Sequence, residues 1–296
     1  MGGDEEGRSR VGEGLSIRTV SEALGVPAPT LRSWERRYGL PTTLRSSGGH
    51  RRYTEEALTE LRLMRDEVAR GRRAGDAARV VRVLLHQTGP GNARINRLLA
   101  ASQRLDPAAV RAVLDQATDE IGLAATLDQV LMPAMRQIGT WWETGRCDVA
   151  QEHLTTEAAR GWLARMTALA PGPISERPIL LACGPRDLHT LGLEALAALL
   201  TRQRCGCRVL GARTPQRTLV TAVTATSAAA VVIVSHLSTQ RRPAADAIRA
   251  VASTGCPTFY AGNAFLFPRA RSGTPGTYLG ENLAAATALI RESLSV

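Results

Sequence analysis

The eight residues PGPISERP, 171 to 178, divide the chain into stretches that bury their apolar residues in different ways. From about 76 to 170 there is almost no strand signal, and apolar residues recur at helical spacing. Downstream, the short apolar runs ILLACG, CRVLGA, AVVIVSHLS, PTFYAG and TYLG alternate with helical segments expected from 190, from 215, from 243 and over 281–294. Parallel strands need a crossover between them, and a helix supplies it, so this alternation predicts a doubly wound parallel sheet. Residues 179–296 are therefore read as an α/β Rossmann-like domain, with 171–178 as its linker. Residues 76–170 are read as a helical bundle, with helices over 76–86, 92–104, 107–120, 122–144 and 148–169, the last capped by Asp148.

At 296 residues the chain exceeds one ordinary domain, and its N-terminal quarter has a third character. SIRTVSEALGVPAPTLRSWERRYGL predicts a short helix over Thr19–Leu24, a turn at Gly25 and a second helix from about Ala28 to Tyr38, a helix-turn-helix. Ser46 to Gly49 form an expected tight turn between basic residues, and Thr54, followed by Glu55 and Glu56, caps a third helix. The fold class is thus multidomain: an α winged helix-turn-helix over 15–75, then the bundle, then the α/β domain, with residues 1–14 as a polar, glycine-rich, disordered tail.

Charge sharpens this reading. All 37 basic residues are arginine and the net charge is +10. Six arginines and one glutamate between Leu31 and Tyr53 supply half of that charge. Arg32, Arg36, Arg37, Arg51 and Arg52, with Tyr38 and His50 beside them, are candidates to meet phosphates or guanine edges of double-stranded DNA, while Trp34, Tyr38 and Tyr53 pack the junction of helix and wing. The five cysteines are odd in number and lack zinc spacing, which predicts reduced thiols. No apolar leader or uninterrupted apolar stretch of membrane-spanning length is present, so a cytoplasmic protein without membrane partners is expected.

Three short motifs fall at successive strand ends, where open α/β sheets place ligands. GPRDLHTLGL carries Asp187, His189 and Gly192 as D-x-H-x-x-G; SHL carries Ser235, His236 and Leu237; AGN carries Ala261, Gly262 and Asn263. Imidazole is a good transition-metal ligand, a carboxylate two residues away can hold its other ring proton, and glycine lets the backbone approach a bulky ligand. Together these motifs resemble the cobalamin-binding domain. The resemblance implies His189 as the lower axial ligand of cobalt and Ser235 as partner of the buried dimethylbenzimidazole tail. Ala261 departs from the family's glycine pair and would tighten the tail pocket. Residues 15–75, with TLRSWERRYGL as recognition helix and GGHRRYT as wing, are similar to MerR-type DNA-binding domains.

TWWETGRCDVAQEHL then finds a place. Trp142 ends one bundle helix, Asp148 starts the next, and Glu152 and His153 lie one turn inside it. By themselves these residues read first as bundle core, Trp142 and Val149, beside a solvated face of Glu152 and His153. In this context the W-x9-E-H spacing, with Val149 between, resembles the light-responsive, adenosylcobalamin-dependent MerR-type repressors. The resemblance implies that Trp142, Val149, Glu152 and His153 cap the adenosyl face. It also implies a non-enzymatic repressor that holds operator DNA as a dimer or tetramer in the dark. Glu143 stands where that family has a second cobalt-ligating histidine, and a carboxylate is the weaker partner for cobalt(III). His153 or Cys147 substituting, an unstable light product, or a second chromophore such as a bilin are the open consequences. Two rivals remain: the same architecture responding to a bilin or other ligand, and a cobalamin carrier for methyl transfer, against which the winged helix argues.

Overall fold

The computed structural model describes residues 14–45, 49–85, 93–143 and 145–294, the side chains of Val83, Leu84 and Glu143 excepted. Nearly all of the expected tail and residues 46–48 of the expected wing turn lie outside the described residues. The chain forms two compact units, Met1–Gly89 and Pro90–Val296.

In the first unit, α1 (Ile17–Leu24) starts at Ser16, whose hydroxyl accepts a bond from the Thr19 amide, and α2 (Ala28–Tyr38) follows a turn at Gly25. Strands β1 (Leu44–Arg45) and β2 (Arg51–Arg52) pair antiparallel as the wing, and α3 (Glu55–Ala69) is capped by Thr54. The core gathers Val20, Leu31, Trp34, Tyr53, Leu61 and Met64. α4 (Ala74–Leu85) adds Ala77, Ala78 and Val81 to this same core. The helix expected over 76–86 as part of the bundle therefore packs in the N-terminal unit. Periodicity reveals an apolar stripe, but it does not name the surface that the stripe covers.

The second unit opens with α5 (Ala93–Gln103), α6 (Pro107–Thr126), a π-helical turn (Leu127–Leu131), α7 (Met132–Glu143) and α8 (Val149–Ala168). The expected break between 107–120 and 122–144 falls at Gly122, whose φ of 78° and ψ of 160° leave the helical region. That φ is open to glycine and strained for other residues. Leu98, Leu114, Leu131, Ile138 and Trp162 fill the bundle core. The Trp162 indole satisfies its N–H on Asp115 Oδ1 at 2.7 Å.

The sheet follows as β3 (Ile179–Cys183), α9 (Leu191–Arg202), β4 (Cys207–Gly211), α10 (Gln216–Thr226), β5 (Ala230–Val234), α11 (Arg241–Ala252), β6 (Thr258–Ala261), α12 (Pro268–Arg271), β7 (Thr277–Tyr278) and α13 (Leu283–Leu294). All strands pair parallel, in the order β4-β3-β5-β6-β7. β3 and β5 are apolar and buried at every position, as strands covered on both faces must be. The chain leaves β3 toward β4 on one side and then returns to β5 on the other. The loops after β3 and β5 therefore diverge, opening a crevice at the C-terminal edge. Among the described residues no helix is long and apolar enough to cross a membrane.

Bundle and sheet share a packed boundary. Ala195, Ala198 and Leu199 of α9 join the core formed with Ala159, Trp162 and Leu163 of α8. At another point Asp128, in the π-helical turn, caps α13: its carboxylate accepts from the amides of Leu283 at 2.6 Å and Ala284 at 3.0 Å. Asn282 accepts from Ala285 at 2.7 Å. Asp128→Ala is expected to lower unfolding stability by about 1 kcal/mol, the usual worth of a lost cap, and Asp128→Asn by less. Urea titration of the full chain checks both.

Candidate functional site

The site is built around one carboxylate. The turn after β3 closes with the Gly184 amide on Val234 O at 2.8 Å and the Asp187 amide on Gly184 O at 3.0 Å, which places Asp187 in the floor of the crevice. Asp187 is fully buried. Its Oδ1 accepts from the His189 amide at 2.9 Å and sits 2.8 Å from His189 Nδ1, and its Oδ2 accepts from the His236 amide. Burial by itself would raise the carboxyl pKa; the hydrogen bonds from the His189 side chain and amide and from His236 overcome it and hold the group at about 2. Asp187 is therefore an anion, and Nδ1 is the ring nitrogen that carries the shared proton. Nε2 lies on the opposite edge of the ring, in a side chain that is 57% exposed.

Ser235 closes the floor from the end of β5. It is fully buried, and its hydroxyl has no hydrogen-bond partner among the described residues. An orphaned hydroxyl costs roughly 1–3 kcal/mol, so the position fits a ligand atom that arrives to pair with it. Gly262, at φ 99°, brings the end of β6 against Ser235: a Cβ there would lie 2.2 Å from Ser235 O. Gly192, in the first turn of α9, faces the bundle, its missing Cβ 3.8 Å from Met132 Cε. Leu237 is exposed on the rim. Among the described residues no group of three or more His, Cys, Asp or Glu is placed to hold a metal ion. What the sheet edge offers is one oriented imidazole, an unpaired buried hydroxyl and a glycine approach, a donor set that fits a cobalt corrin held from below.

His236 is the residue that motif reading passed over, because it occupies the variable middle of SHL. Its ring centre lies 5.3 Å from that of His189, tilted by 60°, so the crevice holds two imidazoles, both on residues hydrogen-bonded to Asp187.

The second group of expected residues sits on the hairpin between α7 and α8. Bonds from the Gly145 amide to Trp142 O at 3.0 Å and from the Arg146 amide to Trp141 O at 2.7 Å end α7, and Asp148 caps α8 through the Gln151 amide at 2.8 Å. Trp142 and Val149 are 53% and 51% exposed; it is Trp141 that packs against the bundle core. Glu152 Oε1 accepts from the Thr156 hydroxyl at 2.9 Å, while Oε2 lies 3.5 Å from Nε2 of the exposed His153. Cys147 sits 3.6 Å from Ile138 O, its thiol pKa pushed up by burial and by nearby Asp148 and Glu152. The Glu143 side chain lies outside the described residues.

In the first unit Arg32, Arg36 and Arg37 stand exposed on α2, His50 is exposed on the wing, and Arg52 is half-buried. Arg51 is engaged by Glu35, whose other oxygen accepts from the Thr43 hydroxyl at 2.9 Å. Tyr38 turns toward α4: its carbonyl accepts from Arg82, and its ring lies 3.7 Å from the position of a Cβ on Gly75. Sequence reading counted Glu35 only as a charge to subtract. In the structure it ties the wing to the recognition helix.

Residues 15–84 match the MerR HTH family regulatory protein family, and residues 94–166 match the B12 binding domain family. The HTH-type transcriptional repressor CarH of Myxococcus xanthus is 33% identical over 225 residues, covering 71% of this chain and 74% of the relative. The repressor CarA of the same organism is 35% identical over 212 residues, covering 69% and 70%. In fold, the chain is similar to the monomethylamine corrinoid protein of Methanosarcina barkeri, with a TM-score of 0.57 at 13% identity, covering 68% of this chain and 98% of that one.

Two substitutions at the crevice separate ligand fit from folding. Because the Ser235 hydroxyl is unpaired, Ser235→Ala is expected to leave the ligand-free unfolding midpoint unchanged or slightly raised. Gly262→Ala, clashing with backbone at a positive φ, is expected to cost about 2 kcal/mol or more. Thermal unfolding of both variants checks the contrast.

Proposed function

We propose, from the premise that this chain belongs to the MerR-type transcriptional repressor family of CarH and CarA, that its DNA-binding unit is governed by adenosylcobalamin held in the second unit, with light as the signal. The observation that carries the reading is the buried Asp187 that orients His189 beside an unpaired Ser235 hydroxyl. His189 would hold cobalt from below through Nε2, with Asp187 fixing its tautomer and enriching its basicity. Ser235 would bond the nucleotide tail, and Gly192, Leu237 and Gly262 would shape its passage. Above, the exposed faces of Trp142 and Val149 are apolar surface available to an adenosyl group, and Glu152 and His153 are polar groups for its sugar and base. Bound adenosylcobalamin supplies a cobalt–carbon bond that light can cleave.

In the first unit Arg32, Arg36 and Arg37 would reach bases and phosphates, with His50 and Arg52 on the wing, while Arg51 positions that wing through Glu35. The reading-head domain is taken as 15–85, extended by α4 beyond the expected end at 75, the bundle as 93–170 and the cobalamin domain as 179–296. The dark form would assemble as a dimer or tetramer on operator DNA. Such control requires the cofactor to favour one assembly state, since a ligand with equal affinity for both shifts nothing.

Full-length protein reconstituted with adenosylcobalamin is expected to retard operator DNA in the dark and to release it after illumination, with a matching change in visible absorption. Identical DNA binding by the dark, illuminated and cofactor-free forms would overturn the reading. His189→Ala is expected to remove protein ligation of cobalt, and an unchanged visible spectrum would refute that role. Glu143→His is expected to lengthen the lifetime of the illuminated product.

A further inference from the structure

α8 carries both the upper contacts and a second polar device two turns further on. His153 and Arg160 are seven positions apart. They therefore lie about 10 Å apart along the axis, within roughly 20° of the same face. At Arg160 that face meets the start of α9. The Arg160 Nε lies 3.1 and 3.2 Å from the two Glu194 oxygens, and its Nη2 donates to Thr190 Oγ1 at 3.2 Å. The ring closes when Thr190 Oγ1 donates to Glu194 Oε1 at 2.7 Å. Thr190 is joined by a peptide bond to His189, and its carbonyl accepts the Leu193 and Glu194 amides that begin α9.

We infer that Arg160, Glu194 and Thr190 form a coupling ring that ties α8, and so the proposed adenosyl space bounded by Trp142, Val149, Glu152 and His153 (the upper cavity), to the turn bearing His189. This rests on the proposed role of His189 as the lower cobalt ligand. Arg160 and Glu194 are 39% and 21% exposed, so their ion pair adds little to stability. Geometry is its stronger effect. Asp187 holds the imidazole from one side of the turn, and the ring holds the residue that follows it from the other. A rigid helix that shifts at Glu152 and His153 carries Arg160 with it and displaces Thr190. Linkage is reciprocal: what occupies the upper cavity biases cobalt ligation by His189, and ligation biases the placement of α8.

The test uses the full chain loaded with cob(II)alamin, read by electron paramagnetic resonance, where a protein imidazole on cobalt leaves nitrogen splitting that isotope-labelled histidine alters. Arg160→Met, Glu194→Gln and the near-isosteric Thr190→Val are each expected to weaken cobalamin binding on the order of 10-fold, as outer-shell losses do. Each is also expected to lower the fraction of imidazole-ligated cobalt. Arg249→Ala, which breaks an exposed pair with Asp246 on α11, is expected to change neither. Wild-type splitting retained in all three ring variants, with only the unfolding midpoint lowered, would overturn the coupling ring alone. Absence of imidazole splitting in the wild-type protein would overturn the cobalt-ligand reading and the ring with it.

Discussion

A carboxylate with no access to water has to be compensated where it stands, and the crevice at the sheet edge is organised by that requirement at Asp187. Burying an unpaired charge is prohibitive, whereas three N–H donors and an anionic state make it tolerable. Those donors come from two different loops: the His189 ring and amide after β3, and the His236 amide after β5. Neither loop can relax without exposing the charge to an unsatisfied interior. The same bonds that solve the electrostatic problem orient the His189 ring and fix the start of the loop that follows Ser235.

The bundle completes its core without Trp142 and Val149. Trp162 and Trp141 supply its aromatic packing, and Ser102, Thr155 and Gln151 pair among themselves inside it, with Ser102 Oγ 2.7 Å from Thr155 Oγ1 and 3.1 Å from Gln151 Nε2. Trp142 and Val149 remain as large apolar side chains in solvent, a surface that gains most from being covered. The attachment to the sheet is by contrast partly polar: Asp128 caps α13, and Arg160 reaches Glu194 and Thr190. Polar attachments of this strength define a register yet yield at modest cost.

Much of this was legible in the chain. Each expected strand of the α/β domain is present, because β3 and β5 read as unbroken apolar runs that a doubly covered sheet demands. Asp187 and His189 are two residues apart, so their pairing is a local geometric property that spacing can carry. What stayed hidden is long-range. Arg160 and Glu194 are 34 residues apart, Asp128 and Leu283 are 155 apart, and nothing in either local sequence names the other. α4 was recognisable as a helix, but its small Ala77 and Ala78 face could have suited either neighbour, and only packing assigns it to the core of Val20 and Leu31. His236 was overlooked because a motif weights its fixed positions, while the ring contact with His189 depends on the turn that Asp187 imposes.

The same logic governs how charge is used in the first unit. Six arginines between Leu31 and Tyr53 invite the view that each is a phosphate contact. Arg51, however, spends its charge on Glu35, with side chains 28% and 18% exposed, and Glu35 also takes the Thr43 hydroxyl from the wing's approach. An internally neutralised arginine releases no counterion from DNA, so it adds little to the salt-dependent part of affinity. Its effect is to fix the wing against α2, the helix that carries the exposed Arg32, Arg36 and Arg37. Phosphate attraction by itself binds any sequence alike. Glu35, the one acidic residue in the basic window, holds the wing and α2 in a fixed relation.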